Sequence, residues 1–332
     1  MQLVNKIFKH EFVKNVFTLV TGTSISQLIP FLVTPLLTRI FYPEDFGVLA
    51  LYMSLLMLFS VISTGRYEMA IILPESDKEA CNLSVLSIIV SFLFSLFLLF
   101  LILCFYNKII FLLPNYKFGI WLYFLPLSVF LISIHRVFIF CLNRDKNYKT
   151  ITLNRVIKTF SSSSFQVFFG LLSINKIGLV LGEIIGQFFS VIILVKFYFV
   201  RFKDSFLDVS KKNIISVAKK YNHFPFYNGT HAMLDMIQIN FIIFLITIFY
   251  NSTTLGFYAL AVKVIRAPIT LIGSSISNVL YQKLNKDYLE SKDISSFVTK
   301  LTIILFFISI PFFTLIYIYS VPVFSFLFGS EW

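Results

Sequence analysis

The sequence predicts an all-α membrane protein, a multi-helix bundle of about nine transmembrane helices in two lobes. Three observations carry that prediction. Hydrophobic residues make up 58% of the 332 positions and charged residues only 13%, with a mean hydropathy of +0.86, far from the balance of soluble globular domains. Uncharged runs longer than the roughly 20 residues that cross a bilayer core recur from one end to the other. Lys and Arg collect at alternate connections between those runs, the signature of alternating membrane passage.

The first run is preceded by Lys6, Lys9 and Lys14 and continues to about residue 41. A secretory leader has a similar basic start but an apolar core of only about 7–15 residues followed by a cleavage site, so this run is expected to stay as a helix. The turn Arg39-Ile40-Phe41-Tyr42-Pro43-Glu44-Asp45-Phe46-Gly47 joins it to a second helix over 46–73, and the pair forms a helical hairpin. Further helices are expected at 82–106, 119–142, 151–173, 178–200, 231–250, 254–280 and 297–319. The 42 Phe residues read as lipid-facing filler, since Ile, Lys and Asn are abundant as well. Cys81, Cys104 and Cys141 have neither the spacing of a disulfide framework nor that of a zinc site, and His10, His135, His223 and His231 lack metal-ligand spacing. Neither a phosphate-binding loop nor a nucleophile elbow is present, so the sequence implies no cofactor and no enzyme.

The net charge of +12 is an orientation signal. The N-terminus and the second, fourth, sixth and eighth connections are assigned twenty-two Lys and Arg residues, among them Arg66, Arg136 and Lys158, against four on the other side: Arg39, Lys108, Lys117 and Lys176. That bias puts the N-terminus in the cytoplasm and removes nucleic acid as a partner. The longest connection, 201–230, carries Lys211-Lys212 and Lys219-Lys220 around a weakly amphipathic stretch, as expected of a cytoplasmic helix on anionic lipid.

A repeat divides the chain at that connection. Ile40-Phe41-Tyr42 reappears as Ile248-Phe249-Tyr250, and after one inserted residue Gly47, Ala50 and Leu51 correspond to Gly256, Ala259 and Leu260. Copies separated by an even number of spans are parallel repeats, the arrangement of a two-lobed transporter. The expected lobes are 1–200 with six helices, a cytoplasmic connection over 201–230, and an incomplete second lobe of three helices over 231–332.

Charge at membrane depth marks the candidate site. Lys263 lies about nine residues, or roughly 14 Å, into the eighth helix, and Arg266 follows on the same face. A charged side chain there costs about 2.5–3.5 kcal/mol on insertion scales and faces a cavity or a partner. Two readings are open: a substrate or ion site, or an ion pair inside the bundle with Asp235 or Glu183. Arg66 and Glu68 near one end of the second helix read equally as cavity residues or as an end that snorkels to the interface. Arg39 at the outer turn is a further candidate cavity cation, with outer anchoring favoured. Gln27 on the first helix and Gln238 and Asn240 on the seventh are candidate polar residues of a shared cleft, the alternative being ordinary interhelical hydrogen bonds. Asp235, Glu68 and Glu183 are the candidate ion-coupling or pairing acids. More cations than anions favours an anionic ligand, phosphate above all.

The stretch 38–47, followed by Gly65-Arg66-Tyr67-Glu68-Met69-Ala70-Ile71, resembles the start of bacterial polysaccharide (O-antigen-type) flippases. Tyr221-Asn222-His223-Phe224-Pro225, Gly256-Phe257-Tyr258-Ala259-Leu260-Ala261, Pro268 and Phe328-Gly329-Ser330-Glu331-Trp332 resemble the second-lobe landmarks of the same family. The resemblance implies the multidrug/oligosaccharidyl-lipid/polysaccharide exporter superfamily, with two six-helix lobes around a central cleft. It implies transfer of undecaprenyl-diphosphate-linked oligosaccharide units across the bacterial cytoplasmic membrane for O-antigen, lipopolysaccharide or capsule assembly, by alternating access coupled to H+ or Na+. The implied partners are the lipid-linked oligosaccharide, membrane lipid, the coupling ion and other polysaccharide assembly proteins. The alternatives are a cation-coupled drug exporter of the same superfamily and a membrane glycosyltransferase or polymerase.

Overall fold

The computed structural model describes residues 2–112, 120–267, 269–270 and 294–332. Ten helices account for nearly all of these: α1 (Gln2–Ile40), α2 (Pro43–Ser63), α3 (Asp77–Leu112), α4 (Leu125–Arg144), α5 (Tyr148–Leu171), α6 (Asn175–Arg201), α7 (Lys211–Lys220), α8 (Thr230–Phe249), α9 (252–267) and α10 (Ile294–Phe328). Among the described residues six helices are long and apolar enough to cross a membrane, and the chain is a multi-pass membrane protein. Side chains of residues 1–17, the connection 113–119, and Pro268 and 271–293, with Ser275, Lys283, Lys286 and Lys292, lie outside the described residues. The later part of the expected eighth helix falls there.

Each helix starts where its residues dictate. At α2, Pro43 takes the first helical position, where its missing N–H costs nothing. Asp45 then accepts the Tyr42 backbone N–H at 3.0 Å, in a capping arrangement. At α9 the same place is filled by Asn251, whose side-chain oxygen accepts the Thr254 N–H at 2.8 Å. Asn147 caps α5 and Ser210 caps α7 in the same way.

α2 ends ten residues sooner than its apolar sequence suggests. After Ser63 the chain turns through Gly65 and Arg66, with φ of 60° and 59°, and continues as a 3-10 segment, Tyr67–Ile72. Two successive left-handed residues cannot belong to a helix. Met69–Leu73 therefore lies across the bundle end and does not extend α2.

The spanning helices have two kinds of end. One, the turn end, holds the α1–α2, α5–α6 and α8–α9 connections; the other, the basic end, holds the α2–α3 and α4–α5 connections and α7. α1 packs along α5, α5 along α6, and α4 against α2, α3 and α6, while α8 leans on α2 and α10 on α1. α5 and α6 touch through Gly178, Gly182 and Gly186, one small residue per turn. A Cβ on Gly182 would come 2.5 Å from Gln166 Cγ, and one on Gly186 2.6 Å from Ser162 Cβ. This is the close backbone approach that small residues permit in membranes.

The closest meeting of the two repeat copies is at the turn end. A Cβ on Gly47 would run into the carbonyl oxygen of Ser252, and a Cβ on Gly256 into that of Pro43. The same hypothetical atoms would stand 3.1 Å from the Gly256 nitrogen and 3.2 Å from the Gly47 nitrogen. Each glycine thus accommodates the carbonyl four residues before the other, in a reciprocal contact. Trp332 lies beside this crossing, 4.9 Å from the Phe46 ring and 5.8 Å from the Phe257 ring, and donates to the Thr38 carbonyl at 3.1 Å.

Gly47→Ala and Gly256→Ala are each expected to separate α2 from α9 at a cost of about 1–3 kcal/mol from overpacking. The double variant is expected to cost clearly less than the two single effects added, because one displacement relieves both clashes. Thermal unfolding of the three variants in detergent checks this, and strict additivity would disprove a shared contact.

Candidate functional site

A cavity of about 550 Å³ opens between α1, α2, α5, α6, α8 and α9. Its walls from α2 are Leu49, Ala50, Met53, Ser54 and Met57, and from α9 Tyr258, Ala259, Val262, Lys263 and Arg266. These are corresponding positions: at the offset that pairs Gly47 with Gly256, each α2 wall residue has its α9 counterpart in the wall. Both copies turn the same helical face inward, as expected when the glycine crossing fixes their rotation.

Charge reaches the cavity from three helices. Lys263 and Arg266 project from α9 and Lys158 from α5, while Glu183 comes from α6. Glu183 lies between the contact glycines Gly182 and Gly186, so the tight α5–α6 seam brings α5 residues to its carboxylate. Lys158 Nζ stands 3.3 Å from Oε1, and Ser162 donates to Oε2 at 2.6 Å. Lys263 faces the same carboxylate across the cavity, within electrostatic reach; among the described residues it forms no direct ion pair. Hydroxyls and amides of Thr159, Ser163, Gln166, Asn240 and Tyr258 complete the polar lining, and the Ser54 hydroxyl is buried without a hydrogen-bond partner. With three cations to one carboxylate, the wall can neutralise and orient an anion of more than one charge.

The sequence candidates divide on this geometry. Lys263, Arg266, Glu183 and Asn240 line the cavity. Glu183, named as a partner for the α9 cations, makes its contact ion pair with Lys158. Asp235, the other named partner, pairs with His231 at 3.1 Å one turn away. Gln238 is exposed on α8, and Gln27 on α1 accepts a 3.2 Å hydrogen bond from Thr270. Arg39 is exposed at the turn end, 3.5 Å from the Phe326 carbonyl.

Arg66 and Glu68 belong to a separate network at the basic end. The Glu68 side chain has no solvent exposure; it accepts from Thr64 and lies 3.9 Å from Arg66 and 3.7 Å from Arg136. Arg136 also donates to the Ser60 carbonyl at 2.9 Å. Neither arginine lines the cavity. Arg136 and Lys158, both counted at the basic end as orientation signal, are instead committed to partners within the bundle.

Lys158 is the charged cavity residue that the sequence reading did not name as a site candidate. It sits ten residues, about 15 Å, along α5, well beyond the connection to which it was assigned. The signal that could have found it is the spacing of Gly178, Gly182 and Gly186 opposite Ser162 and Gln166.

The sequence profile of a family described as polysaccharide biosynthesis protein matches residues 36–332. No curated protein matches the chain. Among solved structures, one titled as an outward-facing conformation of a multidrug resistance MATE family transporter of the MOP superfamily matches over 96% of this chain and 76% of its own, at 14% identity and a TM-score of 0.56. That likeness shows the fold of a MATE-like transporter. A crystal structure of MATE in complex with Br-NRF matches over 89% of this chain and 75% of its own, at 16% identity and a TM-score of 0.46.

Removing one member of the Lys158–Glu183 pair leaves the other charge unmatched. Because the pair faces the cavity, Glu183→Ala is expected to cost roughly 1–3 kcal/mol, less than the ~3–5 kcal/mol of a fully enclosed pair. Lys158→Met combined with Glu183→Gln is expected to recover most of that loss. Thermal unfolding in detergent measures both, and a double variant weaker than Glu183→Ala would exclude the pairing.

Proposed function

Since the chain belongs to the polysaccharide biosynthesis protein family, we propose that it moves undecaprenyl-diphosphate-linked oligosaccharide units across the bacterial cytoplasmic membrane for surface polysaccharide assembly. The observation that carries this reading is the excess of cations in the cavity: Lys158, Lys263 and Arg266 against Glu183. A diphosphate diester is a fixed double anion, and Lys and Arg pair with its oxygens through charge-assisted hydrogen bonds. The surrounding hydroxyl and amide groups suit a sugar.

In this reading the basic end and the N-terminus face the cytoplasm, in keeping with the distribution of Lys and Arg. Residues 1–200 and 231–332 act as lobes joined by 201–230. The glycine crossing closes the outer side of the cavity, and transfer requires it to open. Glu183 is the acid placed to respond to a coupling ion, since it alone among the lining residues carries negative charge. A drug exporter of the same superfamily shares this fold; the cation excess argues against a cationic drug as cargo.

Deleting the gene and following lipid-linked repeat units together with surface glycan tests the function. The expected outcome is loss of surface glycan with the lipid intermediate held in the cytoplasmic leaflet; normal surface glycan without that build-up overturns the reading. In complementation, Lys263→Ala and Arg266→Ala are each expected to lower export roughly 10- to 100-fold, the equivalent of one lost hydrogen bond to a charged group, at unchanged membrane abundance. Full export by both variants would remove the α9 cations from the site.

A further inference from the structure

α7 has two dissimilar faces. Val217 is buried, and Ile214 and Ala218 pack with it against the bundle. The opposite stripe consists of Lys211, Lys212, Ile215, Ser216 and Lys219, all exposed. Helical spacing sets these residues within one face, an apolar residue flanked by three ammonium groups. Lys220 is not part of the stripe: it donates to Glu79 at 2.6 Å, a contact that holds its ammonium above the usual lysine range.

The stripe does not stand alone. At the same end of the bundle Leu207 is 90% exposed, Phe226 73% and Tyr227 78%. Lys203 is exposed nearby, as are the acids Asp204 and Glu75, while Asp208 pairs with Lys78 at 2.9 Å. Large apolar side chains and lysines at the level where spanning helices end are poorly suited to water. A headgroup layer accommodates both, burying the rings and pairing the ammonium groups.

α7 is also tied to the joint between the repeat copies. The Tyr67 hydroxyl donates to the Ala218 carbonyl at 3.3 Å. Tyr67 directly follows the left-handed Gly65–Arg66 turn, and that turn packs on the segment leading into α8. A Cβ on Gly65 would lie 3.8 Å from Pro225, and one on Gly229 4.0 Å from Arg66. Between Phe224 and Gly229 the backbone is a π-helix, a local under-winding that often marks functional sites. It runs straight into α8, which contributes Ile239, Asn240 and Ile243 to the cavity.

We propose that the Lys211, Lys212, Ile215 and Lys219 stripe is a docking surface for anionic lipid headgroups, and that membrane surface charge acts through Tyr67 to order the Phe224–Gly229 joint. Lysines held at an anionic surface are drawn to it electrostatically. Three on one face suffice to change how firmly a ten-residue helix is seated. The inference concerns the bilayer and not the transported molecule, so it stands or falls apart from the proposed substrate.

Hydrogen exchange of the full chain in nanodiscs is the test, comparing zwitterionic lipid with lipid one-third anionic. In anionic discs the amides of 211–220 and 224–229 are expected to exchange about tenfold more slowly, the equivalent of ~1.4 kcal/mol. Lys211→Gln/Lys212→Gln/Lys219→Gln is expected to abolish both changes, with thermal unfolding in zwitterionic discs unaltered. Tyr67→Phe is expected to keep the change in α7 and lose that at 224–229. Three results overturn the docking surface: exchange indifferent to lipid charge, a triple variant that responds like the wild type, or inorganic phosphate reproducing the effect in zwitterionic discs. A 224–229 response that survives Tyr67→Phe overturns the transmission.

Discussion

The contact on which the rest of the structure depends is the reciprocal one between Gly47 and Gly256. Two helices, each with a carbonyl set into the other's missing side chain, have little freedom to slide or rotate. Because the contact is reciprocal, it also imposes equivalence. The residues one, two and three turns beyond each glycine meet at matching depth, which is why five residues of α2 and their five counterparts on α9 form facing walls of one cavity. Side chains at the crossing would hold the two helices apart.

A second seam, equally dependent on small residues, fixes what the cavity contains. Gly178, Gly182 and Gly186 draw α6 onto α5 so closely that Glu183 meets Ser162 and Lys158. A carboxylate in a membrane protein's interior is unfavourable unless matched, and here α5 supplies the match. Lys158 and Arg266 are the kind of residue that a purely lipid-facing helix excludes. α5 indeed falls outside the six helices apolar enough to span by composition. Its polarity follows from facing the cavity.

Much of this was legible in the sequence. Long apolar runs broken by polar connections located most helices, with α2 ending ten residues early and α10 running to Phe328 against an expected 319, and the paired motifs around Gly47 and Gly256 pointed to the two segments that meet at the turn end. Lys263 and Arg266 stood out because nothing but a cavity or partner explains a cation so far inside a span. Two features were not legible for physical reasons. Met69–Leu73 is apolar enough to continue α2, and only the left-handed backbone at Gly65 and Arg66 shows that it does not. Lys158 follows Lys149 and Arg155 closely enough to look like part of a basic flank. Its depth depends on where α5 begins, and its partner on how α5 and α6 are registered, which a reading of each helix by itself does not supply.

The placement of charge on the facing walls of α2 and α9 is unequal, and the inequality has an electrostatic consequence. At the positions of Lys263 and Arg266 α2 has Ser54 and Met57, and the other lining charges reach the cavity from α5 and α6. Lys158 and Glu183 sit on two helices held together by a glycine seam, so their 3.3 Å separation does not depend on the position of α9. Lys263 is carried by α9, which meets α2 at the glycine crossing. At an effective dielectric of ~20 any pair of opposite charges loses roughly 1 kcal/mol of attraction as its separation grows from about 6 to about 10 Å, so the attraction between Lys263 and Glu183 is sensitive to the position of α9. The present arrangement therefore leaves Lys263 only partly matched, by a carboxylate that Lys158 already engages. An anion entering the cavity would meet its least satisfied cation on α9, and the electrostatic gain would be largest where Glu183 is farthest from Lys263.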